Sequence, residues 1–203
     1  QIAQGEGGLM SVTGVAEPTK VGVPIADLLA GMNLAYGVLA ALHERERTGR
    51  GRVVRTSLLA GVVGVHAFQG TRWTLGGEEP GLSGSHHPAI APYGVFRAAD
   101  GPILVAVGSE GLWARFATAL DLDAADPRFG TNRERVAHRD ELIAVVEQAL
   151  SQGAADDWLE RLLQAGVPAG RVRTLPQVYD WEQTRSQGLL LEVEHPEFGT
   201  LRL

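Results

Sequence analysis

The chain has 203 residues, a formal net charge of −6, 44% hydrophobic side chains and no cysteine. That length suffices for one full core or two small ones. The acidic balance argues against general nucleic-acid binding, which works by neutralising phosphates, and the lack of thiols excludes disulfides and thiolate metal sites, as suits a reducing cytoplasm.

The first residues, QIAQGEGGLMS, have neither the basic leader nor the apolar core of a signal peptide. They lack an initiator Met, so the chain is expected to be a piece of a longer protein. No run of about 18 apolar residues occurs, and no membrane span is expected. Residues 1–22, rich in Gly, Thr, Val and Pro without a sustained period, read as an irregular approach segment.

From Val23 to Ser57 the pattern is loop, long helix, tight basic turn and strand. Leu28, Met32, Ala35, Val38, Leu39 and Leu42 follow a helical period, and Gly49 or Gly51 supplies its left-handed stop. Asp27 falls at the start, where an N-cap acid belongs, because the first N–H groups of a helix lack partners and carry partial positive charge. Val53-Val54-Arg55-Thr56 reads as a strand, and Ser57 as the cap of a second helix running to about Leu75. The arginines from Arg45 to Arg55 read as a solvated rim.

Residues 76–92 are punctuated by Gly and Pro and resemble a linker into a second domain. Two strands follow, Tyr93 to Arg97 and Ile103 to Val107, joined at Asp100-Gly101. Ser109 or Glu110 opens a helix. Two amphipathic helices span Arg135 to Leu150 and Ala154 to Ala165, the second stopped by Gly166 and Pro168. Short helical turns at Pro176 to Tyr179 and Trp181 to Gln187 precede a closing hairpin, Leu189 to His195 with Thr200 to Leu203.

No P-loop, dinucleotide fingerprint or nucleophile elbow is present. His86-His87 is the nearest approach to a metal signal, but adjacent residues of an extended chain point to opposite faces, so no metal is expected there.

Several segments, in order, resemble family III CoA transferases, the CaiB/BaiF family that also contains the formyl-CoA transferases and α-methylacyl-CoA racemases. They are GLMSVTG at Gly8 to Gly14, VGVPIAD at Val21 to Asp27 and GVLAALHERERTGRGRVVRTSLL at Gly37 to Leu59. The series continues with HHPAIAPYGVFRAADGPILVAVG at His86 to Gly108, DPRFGTNRERVAHRDEL at Asp126 to Leu142, AGVPAGRV at Ala165 to Val172 and GLLLEVEHPEFGTLR at Gly188 to Arg202. Each piece is weak alone; their order and spacing carry the resemblance.

The resemblance implies an α/β fold: an internal fragment holding part of a Rossmann-like large domain (residues 1–75) and a smaller α+β domain with its return linker (76–203), from an interlocked homodimer. It places Asp27 as the nucleophile that attacks an acyl-CoA thioester, giving an anhydride and then an aspartyl-CoA thioester. Gly84, Ser85, His86 and His87 fall where family members carry a glycine-rich loop over the acyl site. Coenzyme A thioester is then a substrate, a small carboxylic acid the acceptor, and no separate cofactor, nucleic acid or membrane is implied. Two other functions fit the same residues: a racemase in which Asp27 shares acid/base work with a His outside this sequence, and a CoA-binding fragment without turnover.

Overall fold

The computed structural model describes residues 1–202, which divide into two compact units, Gln1–Pro88 and Ala89–Leu203. The division falls C-terminal to the Gly76 that composition suggests. Residues 76–88 stay with the first unit because they are tied into it: the Gly84 N–H donates to the Gly14 carbonyl at 2.9 Å, and His87 stacks on Phe68.

The first unit contains α1 (Ile2–Glu6), α2 (Ile25–Thr48), α3 (Leu58–Gly64) and α4 (Ala67–Thr74), with a 3-10 turn at Leu9–Val12. The amino-terminal stretch is therefore not wholly irregular. The tertiary reason lies in α3, whose Val62 is fully buried and would meet a Cβ on Gly7 at 2.6 Å. Helix α2 ends where expected, with Gly49 at φ 69°. Ser57 caps α3, its Oγ accepting from the Ala60 N–H at 3.0 Å.

Two expectations for this unit are corrected. Residues 53–56 belong to no strand; a β-prone segment becomes a strand only when a neighbour completes its ladder. The helix expected from Leu58 to Leu75 is broken at Val65-His66, where the His66 ring Nε2 lies 2.7 Å from the Gly7 carbonyl O and Ala67 takes φ 47°. Helix α2 is long and apolar enough to cross a membrane by length and composition. Its Leu, Ile, Val, Met and Ala residues raise the average hydropathy, while Asp27, Gly31, Asn33 and Gly37 interrupt any continuous apolar run.

The second unit is α+β. Strands β1 (Tyr93–Ala98), β2 (Gly101–Ala106) and β3 (Ala169–Arg171) form an antiparallel sheet in the order β1-β2-β3, with Val95 opposite Leu104 and Ile103 opposite Arg171. The strands alternate: Phe96, Ile103 and Val105 point into the core and Leu104 points out. Helices α5 (Glu110–Ala119), α6 (Asn132–Ala137), α7 (Arg139–Leu150) and α8 (Ala155–Gln164) supply the rest of that core, including Trp113, Phe116, Leu142, Val146 and Leu162. Asp100, in the β1–β2 turn, accepts from the Ala155 N–H at 2.6 Å and so ties the hairpin to the start of α8. The helix expected at Arg135 to Leu150 begins earlier, at its Thr131 cap, and breaks at His138, whose Nδ1 lies 3.0 Å from the Glu134 carbonyl O. Short helices α9 (Leu175–Tyr179) and α10 (Glu182–Ser186) lead to the hairpin β4 (Glu192–His195) and β5 (Gly199–Arg202). Leu203, placed in that hairpin from sequence, lies outside the described residues.

Arg135 is the unexpected core residue, 1% exposed. Its Nε donates to the Ala91 carbonyl at 2.6 Å, and its Nη1 to both the Phe129 carbonyl and the Glu110 carboxylate at 2.9 Å. The guanidinium also sits 4.8 Å from the Trp113 ring centroid. The Glu110 carboxyl is held below its ordinary value, chiefly by the Arg135 hydrogen bond and further by the Asn132 N–H, with burial opposing them.

Arg135→Ala is expected to cost about 3–5 kcal/mol, from two carbonyls left without a donor at about 1–3 kcal/mol each and the space vacated, read as a lower urea midpoint. The stability that the Glu110 pair contributes is present above the ordinary carboxyl value of 4.5 and is lost as pH falls through the depressed one. The variant is expected to lack that component of acid destabilisation.

Candidate active site

The segment before α2 sets the position of Asp27. Pro24, not Asp27, is the N-cap, at φ −74°. Its carbonyl accepts from the N–H groups of both Asp27 and Leu28 at 3.1 Å, so the helix begins one turn earlier than an Asp27 cap requires. Asp27 is thus the third helical residue, and its side chain caps nothing. The carboxylate is exposed and has no hydrogen-bond or ionic partner among the described residues. It lies in the first turn, where the helix dipole favours negative charge. Both oxygens are consequently available to an incoming electrophile.

The turn is fixed from below and behind. One residue beyond Asp27 and Leu28, the backbone at Leu29-Ala30 packs so closely on α3 that a Cβ on Gly61 would meet Leu29 Cβ at 3.2 Å and the Ala30 N at 3.3 Å. Upstream, the Val21 N–H donates to the Oε1 of Gln4 at 2.9 Å.

The four loop residues singled out by sequence fall together in the first unit, against the residues that follow the 3-10 turn. Gly84 is at φ 57°, and a Cβ there would stand 3.3 Å from Val15 Cγ2. Ser85 is exposed in the same turn. The His86 N–H donates to the Ser83 carbonyl at 3.0 Å. The His87 ring stacks on Phe68 with centroids 5.2 Å apart and planes 20° apart. A cavity of about 200 Å³ in this unit is lined by Gly8, Ser11, His66, Gly70, Trp73 and Pro80, among others. Asp27 does not line it, nor does it line the cavity of about 520 Å³ beside Arg115 and Arg161 in the second unit. Among the described residues, no cluster of three or more His, Asp or Glu side chains could hold a metal ion.

Two contributors escape the sequence reading. His66 reads as an isolated histidine, and its ring bond to Gly7 depends on a contact 59 residues away along the chain. Gln4 lies in a stretch with no periodicity, and only its burial, at 3% exposure, marks it.

The sequence pattern of CoA-transferase family III matches residues 1–203. The chain is 33% identical over 196 residues to the acetyl-CoA:oxalate CoA-transferase of Acetobacter aceti, covering 94% of this chain and 50% of that protein. It is 34% identical over 200 residues to the succinyl-CoA:mesaconate CoA-transferase of Haloarcula marismortui, covering 96% and 50%. With the human succinyl-CoA:glutarate CoA-transferase the figures are 31% over 205 residues, 98% and 47%. The chain therefore spans about half the length of these relatives. Among solved structures, a CaiB/BaiF family protein from Brucella suis superposes with a TM-score of 0.81 at 33% identity, covering 98% of this chain and 56% of that one. Rv3272 from M. tuberculosis gives 0.84 at 27% identity, covering 100% and 54%.

Gly84→Ala in the full-length protein is expected to strain the loop by about 1–2 kcal/mol, the cost of left-handed backbone for a residue with a Cβ. The expected readout is faster amide hydrogen exchange across residues 82–87 at a nearly unchanged melting temperature. Unchanged exchange would mean that contacts other than the Gly84–Gly14 bond hold the loop.

Proposed function

The chain belongs to CoA-transferase family III, and on that premise we propose that the full-length protein moves CoA from an acyl-CoA to a short carboxylic acid, with Asp27 as the nucleophile. One observation carries the reading: an exposed carboxylate without partners, in the first turn of α2, on backbone anchored at both ends. A carboxylate serves as a covalent nucleophile when nothing else consumes its lone pairs.

In this reading an Asp27 oxygen attacks the thioester carbonyl of the donor. The C–S bond breaks, CoA leaves as thiolate and a mixed anhydride remains. The thiolate then attacks the Asp27 carbonyl carbon, expelling the donor acid and leaving Asp27 as its CoA thioester. The acceptor carboxylate attacks that thioester, releases the thiolate and forms a second anhydride. Attack of the thiolate on the acceptor's acyl carbon yields the new acyl-CoA and restores Asp27. No water enters, and the acyl activation is kept throughout. The helix N-terminus favours the ionised Asp27 and the oxyanions that develop beside it.

The loop at Gly84, Ser85, His86 and His87 serves in this scheme as a cover that keeps water from the anhydride. In this scheme residues 1–88 belong to the large domain and the residues from Ala89 onward to the small one, in an interlocked homodimer, with the remaining walls of the acyl and CoA site supplied by the rest of the protein. Helix α2 is then a core helix of a cytoplasmic enzyme rather than a membrane span. In this chain α3 abuts it at Leu29-Ala30 and Val54 lies over Gly37; its exposed apolar residues, among them Leu28, Met32 and Leu39, are covered in this reading by the rest of the protein. Names of the relatives point to oxalate, mesaconate and glutarate as the first acids to try.

The test is CoA exchange by the full-length protein between succinyl-CoA and these acids. Asp27→Ala and Asp27→Asn are each expected to lower kcat by more than about 1,000-fold. Without acceptor, mass spectrometry should find CoA bound to the peptide holding Asp27. Undiminished exchange in either variant removes Asp27 from the mechanism. Incorporation of solvent deuterium at the α-carbon with no acceptor present would instead indicate an isomerase.

A further inference from the structure

We propose that Gln4 is a positioning residue for Asp27: it pins the segment leading into α2 and so fixes the direction in which that carboxylate is presented. The inference rests on the transferase reading of Asp27 and concerns how the nucleophile is held.

Gln4 is 3% exposed, an unusual setting for a primary amide. Its Oε1 accepts the Val21 N–H at 2.9 Å, across 17 residues of sequence. Val21 is followed by Gly22-Val23-Pro24, and the Pro24 carbonyl takes the Asp27 and Leu28 N–H groups. A short path of backbone therefore runs from the Gln4 amide to the nucleophile's turn.

Helix α1, which carries Gln4, is itself immobilised. Gly7 at its C-terminus packs on Val62 of α3, and its carbonyl takes the His66 ring. The same α3 abuts α2 at Gly61. Three helices thus form a closed frame: α1 rests on α3, α3 rests on α2, and the Gln4–Val21 bond joins α1 back to the approach of α2. Without that bond, the next tie upstream is at Thr19, whose N–H donates to the Thr13 carbonyl at 2.8 Å and whose carbonyl accepts from the Thr13 hydroxyl, so residues 20–23 lose their own link to α1. An error of about 1 Å at a reacting group can cost about 100-fold in rate.

The test uses the full-length protein with Gln4→Met, which keeps length and volume but removes the carbonyl acceptor, and Gln4→Glu, which keeps an acceptor oxygen at the same place. Amide exchange is followed across Val21 to Asp27, together with kcat, KM and melting temperature. Gln4→Met is expected to lose protection at Val21 and to lower kcat by about 10- to 100-fold, with KM for acyl-CoA within about twofold and the melting temperature near that of the unsubstituted protein. Gln4→Glu should restore both protection and kcat. Unchanged protection or unchanged kcat in Gln4→Met overturns the proposal. So does a general loss of protection across residues 1–88 with a lowered melting temperature, which marks a merely structural role, or a Gln4→Glu variant as impaired as Gln4→Met. If the unsubstituted protein protects Val21 in a Gln4-dependent way yet exchanges no CoA, the transferase reading fails while the anchoring of α2 stands.

Discussion

A guanidinium withdrawn from water must direct its N–H groups at acceptors that cannot move away, and the second unit is organised around how Arg135 does so. Its three bonds reach the backbone just before β1, the first turn of α5 and the loop that precedes α6. Those segments lie apart in sequence and share no ladder; beside the cation, Asn132 also ties them, its Oδ1 accepting from the Ala91 N–H at 3.1 Å and its N–H donating to Glu110 at 2.9 Å. The hydrophobic cluster of Phe96, Ile103, Phe116, Leu142 and Leu162 gives the unit its driving force, but apolar contacts are non-directional and would tolerate several arrangements. The planar cation selects one, because every alternative leaves a buried charge or a buried carbonyl unpaired.

The first unit poses a different problem, because the proposed nucleophile must be a carboxylate that the fold itself does not consume. An acid at an N-cap spends an oxygen on the helix's own N–H groups. Pro24 removes that competition by starting the helix one turn earlier. Asp27 keeps the favourable field of the first turn and loses the internal hydrogen bond. The carboxylate lines neither of the two cavities described above, and the chain spans about half the length of its relatives.

Much of the fold is legible because it depends on short-range chemistry. The Asp100-Gly101 turn between alternating strands, the Ser57 and Ser109 caps, and the Gly49 stop are all where local rules place them. What is not legible depends on distant partners. Arg135 lies in a run of charges and reads as surface; only the acceptors at Ala91 and Phe129 make it core. The break at His66 goes with a ring-to-carbonyl contact 59 residues away that helix propensity does not contain. Residues 53–56 have β-branched side chains but no neighbouring strand. Asp27 was located by its sequence surroundings, yet its place within the helix turned on Pro24.

The reach of Arg135 also bears on how the protein is made. Its bond to Ala91 spans 44 residues, and at a synthesis rate of 5–20 residues per second those residues take about 2–9 s to translate. Once Ala106 has been added, β1 and β2 can pair as a hairpin, but for the rest of that interval the lock that seats them against α5 has not yet been made. The apolar faces of Phe96, Ile103 and Val105 must wait for it, so the nascent chain passes through a window in which chaperone capture competes with closure.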